Sequence, residues 1–323
     1  MNCLCCGKPL PSDSLYDTAL SWHNACVRKF FFTNKPPIID ITDKELEQYA
    51  KENIDKGITI PGIQKKLSLH LIRYGNPRLT LLNYPSGYIL KPQVKEYQSL
   101  PEAEYLAMLM AVKSGIIAVP FALIRMHDSS LAYITRRIDR ILSNKIKVEP
   151  RMLAMEDFCQ LSERLTQDKY RGSYEQCAKV VSRYSTNTGL DLSELFIRIV
   201  FSFVIGNSDM HLKNLSLIET APNSQKYVLS PVYDILPVNL ILPEDKDQFA
   251  LTLNGKKRNI CRKDFLVFAE KADIPYKSAE KIINSIISLK ELYLSMCHDS
   301  YLPDYMKSEF EKLITDRISV LIG

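Results

Sequence analysis

Residues 192–214 constrain the chain most. Leu192, Leu195, Phe196, Ile199, Val200 and Phe203 recur at helical spacing and leave little polar circumference, so this helix belongs inside a core. It runs through Gly206 into Asn207-x-Asp209-x-His211-x-Lys213-Asn214. Polar residues at alternate positions straight after a buried helix are costly unless they are exposed or used. A solvated loop between helix and strand is the bland reading. Phosphoryl transfer supplies another: it needs a carboxylate to orient the attacking hydroxyl and an Asn or Asp a few residues later to hold Mg²⁺. Asp209 followed by Asn214 has that spacing, with His211 and Lys213 between them as further catalytic candidates. Asp234, at the end of Pro231-Val232-Tyr233-Asp234, places a second metal-binding carboxylate after a strand-like run.

Two upstream residues fit the same chemistry. Tyr88-Ile89-Leu90-Lys91 reads as a strand stopped by Pro92. Ser99-Leu100-Pro101-Glu102 opens a helix, with a Ser cap, an early Pro and Glu at the capping-box position. Ala103, Leu106, Ala107 and Met110 form its apolar stripe, and Gly115 ends it. Glu104 lies on that helix. A strand Lys91 paired with a helix Glu104 positions nucleotide phosphates in protein kinases, although most Lys–Glu pairs are surface salt bridges. Upstream, Ile58, Ile60, Leu67, Leu69 and Leu71 alternate with polar or small residues, the period of a half-buried strand. Thr59-Ile60-Pro61-Gly62-Ile63-Gln64-Lys65-Lys66 holds neither a Walker motif nor GxGxxG. It is either a turn over phosphates or an ordinary hairpin. Asn76-Pro77 and Pro85-Ser86-Gly87 are turn signals, and from Glu156 onward the pattern is mainly helical.

The eight cysteines divide into two groups. Cys159, Cys177, Cys261 and Cys297 are scattered and read as small buried hydrophobes. Cys3-x-x-Cys6 and His23-x-x-Cys26 are two tight ligand pairs separated by sixteen residues, the arrangement a tetrahedral Zn²⁺ requires. Gly7-Lys8-Pro9 is a knuckle-like turn. Four protein ligands close the coordination shell, which makes the site structural. Cys5 can replace either member of the first pair, and a chance cluster of reduced thiols is the alternative. Thr33-Asn34-Lys35-Pro36-Pro37 reads as a linker, and Thr42 with Glu45 as the capping box of a short helix.

The chain is 46% hydrophobic and 24% charged, ordinary for a soluble globular protein. Its net charge of +5 suits polyanions such as nucleotides and is too weak to argue for DNA binding. The longest apolar run, Leu195 to Ile205, carries Arg198 and is too short to span a membrane. Met1-Asn2-Cys3 does not begin a secretory signal. A cytoplasmic location follows as the expectation, and there cysteines do not build a disulfide framework. The expected organisation is α+β: a zinc-binding segment over 1–35, a β-rich lobe with the phosphate loop over 36–140, and a helical lobe with the catalytic loop over 141–323.

Together these stretches resemble the HipA family of serine/threonine kinases, the toxins of bacterial toxin–antitoxin modules. The resemblance is carried by Ile60 to Leu69, Ile89-Leu90-Lys91-Pro92, Glu102-Ala103-Glu104-Tyr105 and Arg136-Arg137-Ile138-Asp139-Arg140. It continues through Glu156 to Gln160, Lys169-Tyr170 with Gly172-Ser173-Tyr174-Glu175, Gly206 to Asn214, and Pro231 to Asp234, covering about residues 57–320. It implies a two-lobed fold distantly related to protein and phosphoinositide kinases. Lys91, supported by Glu104, would contact ATP phosphates, and Arg136 to Ile138 would be the hinge that meets adenine through its backbone. Asp209 would be the base, with Asn214 and Asp234 on Mg²⁺. The family's autophosphorylated hydroxyl falls at Thr59, where Ser is usual, and Gly57 stands where short relatives can carry a second Ser.

Only about 56 residues precede the loop. That is similar to the short HipT-like toxins, whose missing subdomain is a separate small protein. Family members phosphorylate aminoacyl-tRNA synthetases. The implied partners are therefore such a protein substrate, a DNA-binding antitoxin and the separate small subunit, with no membrane and no direct DNA contact. A small-molecule kinase on the same fold is one alternative. A zinc-binding interaction module with a degenerate kinase body is another, disfavoured by the intact Lys91, Asp209, Asn214 and Asp234.

Overall fold

The computed structural model describes residues 2–10, 21–39, 41, 66–73, 75–81, 87–142 and 151–323. Thr59, Gly57, the phosphate loop up to Lys65, the Thr42–Glu45 capping box and Pro85-Ser86 lie outside the described residues. The chain forms two compact units, Met1–Tyr105 with Val119–Arg151, and Leu106–Ala118 with Met152–Gly323. Among the described residues no helix is long and apolar enough to cross a membrane.

The first unit is built on a six-stranded sheet of β1 (Ile38–Ile39), β2 (Leu67–Ile72), β3 (Arg78–Leu81), β4 (Tyr88–Pro92), β5 (Phe121–Arg125) and β6 (Leu131–Arg136). Their order is β1-β3-β2-β4-β6-β5, with β1 parallel to β3 and the other pairs antiparallel. In β2 the alternation is realised: Leu67, Leu69 and Leu71 are buried while Ser68, His70 and Ile72 are half-buried. Helix α1 (Asn24–Phe31) brings Phe30 and Phe31 within 5.9 and 5.6 Å of the Tyr88 ring on β4.

Helix α2 (Leu100–Lys113) starts where the sequence places it, by a different device. Ser99 is left-handed at φ 54 rather than extended as an N-cap requires, and Glu102 Oε2 is buried without a hydrogen-bond partner among the described residues. Its C-terminus is a Schellman motif around Gly115 at φ 83. The Gly115 N–H donates to Val112 O at 3.1 Å and the Ile116 N–H to Ala111 O at 3.0 Å.

The second unit is mainly helical. In chain order it contains β7 (Met155–Asp157), α3 (Phe158–Leu161), α4 (Tyr174–Tyr184), α5 (Thr188–Val204), β8 (Ser216–Glu219), β9 (Tyr227–Leu229), α6 (Val238–Ile241), α7 (Arg262–Lys271), α8 (Tyr276–Ser288), α9 (Lys290–His298) and α10 (Asp304–Ile322). Strands β9-β8-β7 form an antiparallel sheet that helical periodicity does not announce. Helix α5 is the predicted buried helix, packed by α4, α8, α10 and β9. Phe196 stacks on Phe268 at 6.0 Å, and Phe203 meets Phe265 at 5.4 Å. Arg198 is buried within this apolar helix. Its Nε donates to Glu194 Oε1 at 2.9 Å and its Nη2 to Ser230 O at 2.8 Å.

Asp191, buried in the first turn of α5, ties the helix to the sheet, because its Oδ2 accepts the Leu229 N–H at 2.7 Å and the Ser185 hydroxyl. Asp191→Ala strands that buried N–H, at a cost of about 1–3 kcal/mol. Urea unfolding should show a lower midpoint with an unchanged slope. An unchanged midpoint would contradict this role.

Candidate active site

The larger unit gathers its polar groups where α5 ends. Gly206 sits at φ 69, and a Cβ there would stand 2.7 Å from Leu313 Cδ2 and 3.2 Å from Asn239 Cβ, so a side chain here is strained and must displace its neighbours. The Asn239 N–H donates to Gly206 O at 2.9 Å. Beyond it, Asn207 is buried; its Oδ1 accepts the Asp209 N–H at 3.3 Å, and its Nδ2 has no partner among the described residues. Ser208 Oγ donates to Asp245 Oδ2 at 2.8 Å. Asp209 itself is half-buried.

The segment before α4 braces this loop. Tyr170 Oη donates to Asp209 Oδ1 at 2.8 Å, the Leu212 N–H to Lys169 O at 3.2 Å, and the fully buried Tyr174 Oη to Met210 O at 3.0 Å. Burial and the Asp209 charge push the Tyr170 phenol up, which keeps it a donor. Lys169-Tyr170 and Ser173-Tyr174 thus have a local physical reason. Tyr170 was not among the residues assigned a role from the sequence, and its only signal there was membership of a matching stretch.

Residues 211–214 close on themselves. Asn214 Oδ1 accepts the His211 N–H and His211 Nδ1 accepts the Lys213 N–H, both at 3.3 Å, a reciprocal cap on the short 3₁₀ turn Leu212–Asn214. The His211 ring meets Tyr170 edge-on at 5.0 Å. Lys213 Nζ donates to Asp157 Oδ2 at 2.8 Å, and Asp157 caps α3. Asn214 Nδ2 donates to Asp234 Oδ2 at 3.0 Å across twenty residues of chain. Asp234 is held at φ 60, a backbone region costly for a non-glycine residue. Asp234 carries carboxylate oxygens and Asn214 an amide oxygen, here accepting the His211 N–H, which are ligand types a hard divalent cation takes.

In the smaller unit, Lys91 Nζ meets Glu104 Oε1 at 2.5 Å, and both side chains are buried. Lys91 also lies 5.3 Å from the centre of the Tyr133 ring, its cross-strand neighbour. Arg136 ends β6 with its guanidinium over the Phe32 ring at 4.9 Å, and Ile138 follows in a turn. The Arg137 N–H donates to Gly87 O at 2.9 Å, fixing the backbone here. Cys3, Cys6, His23 and Cys26 come together with ligand atoms within 4.8 Å of one another, a cluster able to hold a metal; Cys5 lies outside this set.

Comparison with known proteins matches residues 58–291 to the family described as the HipA-like C-terminal domain. A Haemophilus influenzae protein named "Putative kinase" is 26% identical over 275 residues, covering 79% of each chain. The Sinorhizobium fredii "Putative kinase Y4dM" is 30% identical over 68% of this chain and 54% of its own length. In fold, the chain is similar to Shewanella oneidensis HipA, solved with HipB and operator DNA. The TM-score is 0.69 at 15% identity, over 85% of this chain and 71% of that one. It is also similar to the Helicobacter pylori proinflammatory kinase CtkA, with TM-score 0.51 at 15% identity, over 76% and 88% of the two chains.

The buried pair yields a prediction. Glu104→Leu removes the buried carboxylate that faces Lys91 and should cost about 3–5 kcal/mol, whereas Glu104→Leu combined with Lys91→Met should recover most of that loss. Chemical denaturation of the two variants and the parent tests this. A double variant no more stable than the single one would sink it.

Proposed function

Because the chain belongs to the HipA-like C-terminal domain family, we propose that it is a Mg·ATP-dependent serine/threonine protein kinase and the toxin of a toxin–antitoxin module. The observation that carries the reading is the hydrogen bond to Asp234 from Asn214, which lies on the same short loop as Asp209. Asp209 accepts the proton of the acceptor hydroxyl. The Tyr170 hydroxyl on its Oδ1 already has the 2.8 Å geometry such a hydroxyl needs. Asn214 and Asp234 would hold Mg²⁺, which would neutralise charge on the phosphates. Lys91, steadied by Glu104, takes the α- and β-phosphates, and the backbone from Arg136 to Ile138 takes adenine. Lys213 holds the loop through Asp157, and His211 holds it through its reciprocal cap with Asn214. These two act by position rather than on the reacting atoms.

The proposed substrate is a protein of translation such as an aminoacyl-tRNA synthetase, and the site of action is the cytoplasm. A DNA-binding antitoxin is the proposed partner, supported by the complex in which the Shewanella HipA was solved. A separate small subunit remains part of the proposal. Thr59, outside the described residues, is the proposed autophosphorylation site. Phosphate there would add about −1.5 to −2 charges, and the proposal is that it lowers ATP affinity.

Asp209→Asn should abolish transfer to protein substrates in a lysate while ATP still binds, and Asp234→Asn should weaken Mg·ATP binding itself. Labelled ATP with phosphopeptide mapping reads both. Near-normal transfer by Asp209→Asn, or label appearing only in small molecules, would overturn the assignment. Mass spectrometry should find phosphate on Thr59 in the active protein and none in Asp209→Asn. Phosphate elsewhere, or none, would remove the proposed regulation.

A further inference from the structure

We propose that Cys3, Cys6, His23 and Cys26 bind one Zn²⁺, and that this ion fastens the N-terminal segment onto the open edge of the six-stranded sheet. The inference concerns the smaller unit alone and is independent of phosphoryl transfer.

The ligand geometry is that of a tetrahedral Cys₃His site. Bonds of about 2.3 Å to sulfur and about 2.0–2.1 Å to nitrogen put neighbouring ligand atoms about 3.5–3.8 Å apart. Here Cys6 Sγ lies 3.4 Å and Cys26 Sγ 4.0 Å from His23 Nδ1, and all four ligand atoms fall within 4.8 Å of one another. The other imidazole nitrogen is spoken for. His23 Nε2 lies 3.0 Å from Pro9 O, and a carbonyl accepts only from N–H, so the proton sits on Nε2 and the Nδ1 lone pair faces the sulfurs. The backbone is shaped as a knuckle: the Gly7 N–H donates to Cys3 O and the Cys3 N–H to Lys8 O, both at 2.8 Å, with Gly7 at φ 71. The His23 N–H points to Cys3 Sγ at 3.4 Å, a bond that favours the thiolate a metal needs. A chance group of thiols has no reason to acquire an oriented imidazole and a backbone turned to it.

What the knuckle holds is the edge strand. Among the described residues β5 pairs with a named strand, β6, on one side only. On its open side the Leu123 N–H donates to Leu4 O at 2.8 Å, and Leu123 O accepts the Trp22 Nε1–H at 2.9 Å. Leu4 and Trp22 each adjoin a ligand, Cys3 and His23. The Leu4 N–H in turn donates to Ser21 O at 3.0 Å, so the two ligand-bearing segments are also tied to each other. Trp22 is buried and stacks on Phe31 at 5.2 Å, and Tyr88 Oη of β4 donates to Phe30 O at 3.1 Å. The segment therefore satisfies Leu123 on the edge and reaches β4 through its aromatics. An open strand edge is a liability that proteins cover, and a segment this short needs a staple to do so.

Full-length protein purified without chelator should carry one zinc per chain by metal analysis. Cys3→Ser and Cys26→Ser should lose it, and Cys5→Ser should keep it. Should the serine variants fail to fold, Co²⁺ substitution in the unaltered protein gives the intense visible bands of tetrahedral thiolate coordination. Trp22, the single tryptophan, adjoins His23, so removing the metal should shift its emission to the red and restoring Zn²⁺ should reverse the shift. Hydrogen exchange tests the edge: metal removal should speed the Leu123 amide by at least roughly tenfold and leave Leu90 of β4 protected. Zinc absent from both purified and reconstituted protein, or lost from Cys5→Ser but kept by Cys3→Ser, overturns the site. An unchanged Leu123 amide after demetallation overturns its role at the sheet edge.

Discussion

Helix α5 stops at a residue where a side chain would be strained, and the polar loop inherits its position from that stop. Leu195, Phe196, Ile199, Val200 and Phe203 are fully buried, each contributing about 1.5–3 kcal/mol of burial. The helix is therefore fixed in the core along most of its length. Gly206 then turns the chain against Leu313 and hands its carbonyl to Asn239. From that fixed point Asn207 catches the Asp209 backbone, and Lys169, Tyr170 and Tyr174 catch the rest of the loop from outside. The apolar contacts supply the free energy, and the hydrogen bonds convert it into direction.

The legible part of this arrangement was the part governed by period and spacing. The burial of α5 followed from its apolar circumference, the half-burial of β2 from strict alternation, and the end of α2 from Gly115. The Cys₃His set followed from two tight pairs, but their spacing left Cys5 open until the backbone chose Cys3 and Cys6. Features made by long-range contacts carried no such signal. The β7–β8–β9 sheet joins strands of three or four residues, too short for a period to show. Arg198 looked only like a charge interrupting an apolar run, and Ser230, which accepts from it, lies far along the chain. Ser99 carried a capping signature, yet its backbone is left-handed and not the extended form a cap takes.

The smaller unit meets a different demand. Its sheet must bury a charge and still present an open edge. Lys91 on β4 is buried beside Tyr133 and against Glu104, and such a pair returns little net stability for the desolvation it requires. The pair fixes an ammonium group in one place more than it adds stability. At the far edge, β5 leaves Leu123 with backbone groups to satisfy, and residues 4 and 22 satisfy them. Arg136, at the end of β6, is drawn into the same aromatic group, with Phe32 under its guanidinium and Lys29 O accepting from Nη1 at 3.3 Å.

Asp209 on the loop and Asp234, twenty residues beyond Asn214, are constrained differently. Tyr170 gives Asp209 a hydroxyl donor. Burial and the neighbouring charge both raise the phenol's pKa, so it does not ionise near neutrality and cannot compete as a base. Asp234 is instead tied to an amide donor, Asn214, and carries a left-handed backbone that only its surroundings maintain. A carboxylate held by strain and by an amide is preorganised for a ligand that rewards position, which is what a divalent cation does. Lys213, committed to Asp157, stabilises the turn between them without supplying a proton to either. Asp209 thus faces a phenol and Asp234 an amide, and the position of the first is set by a glycine and a buried helix.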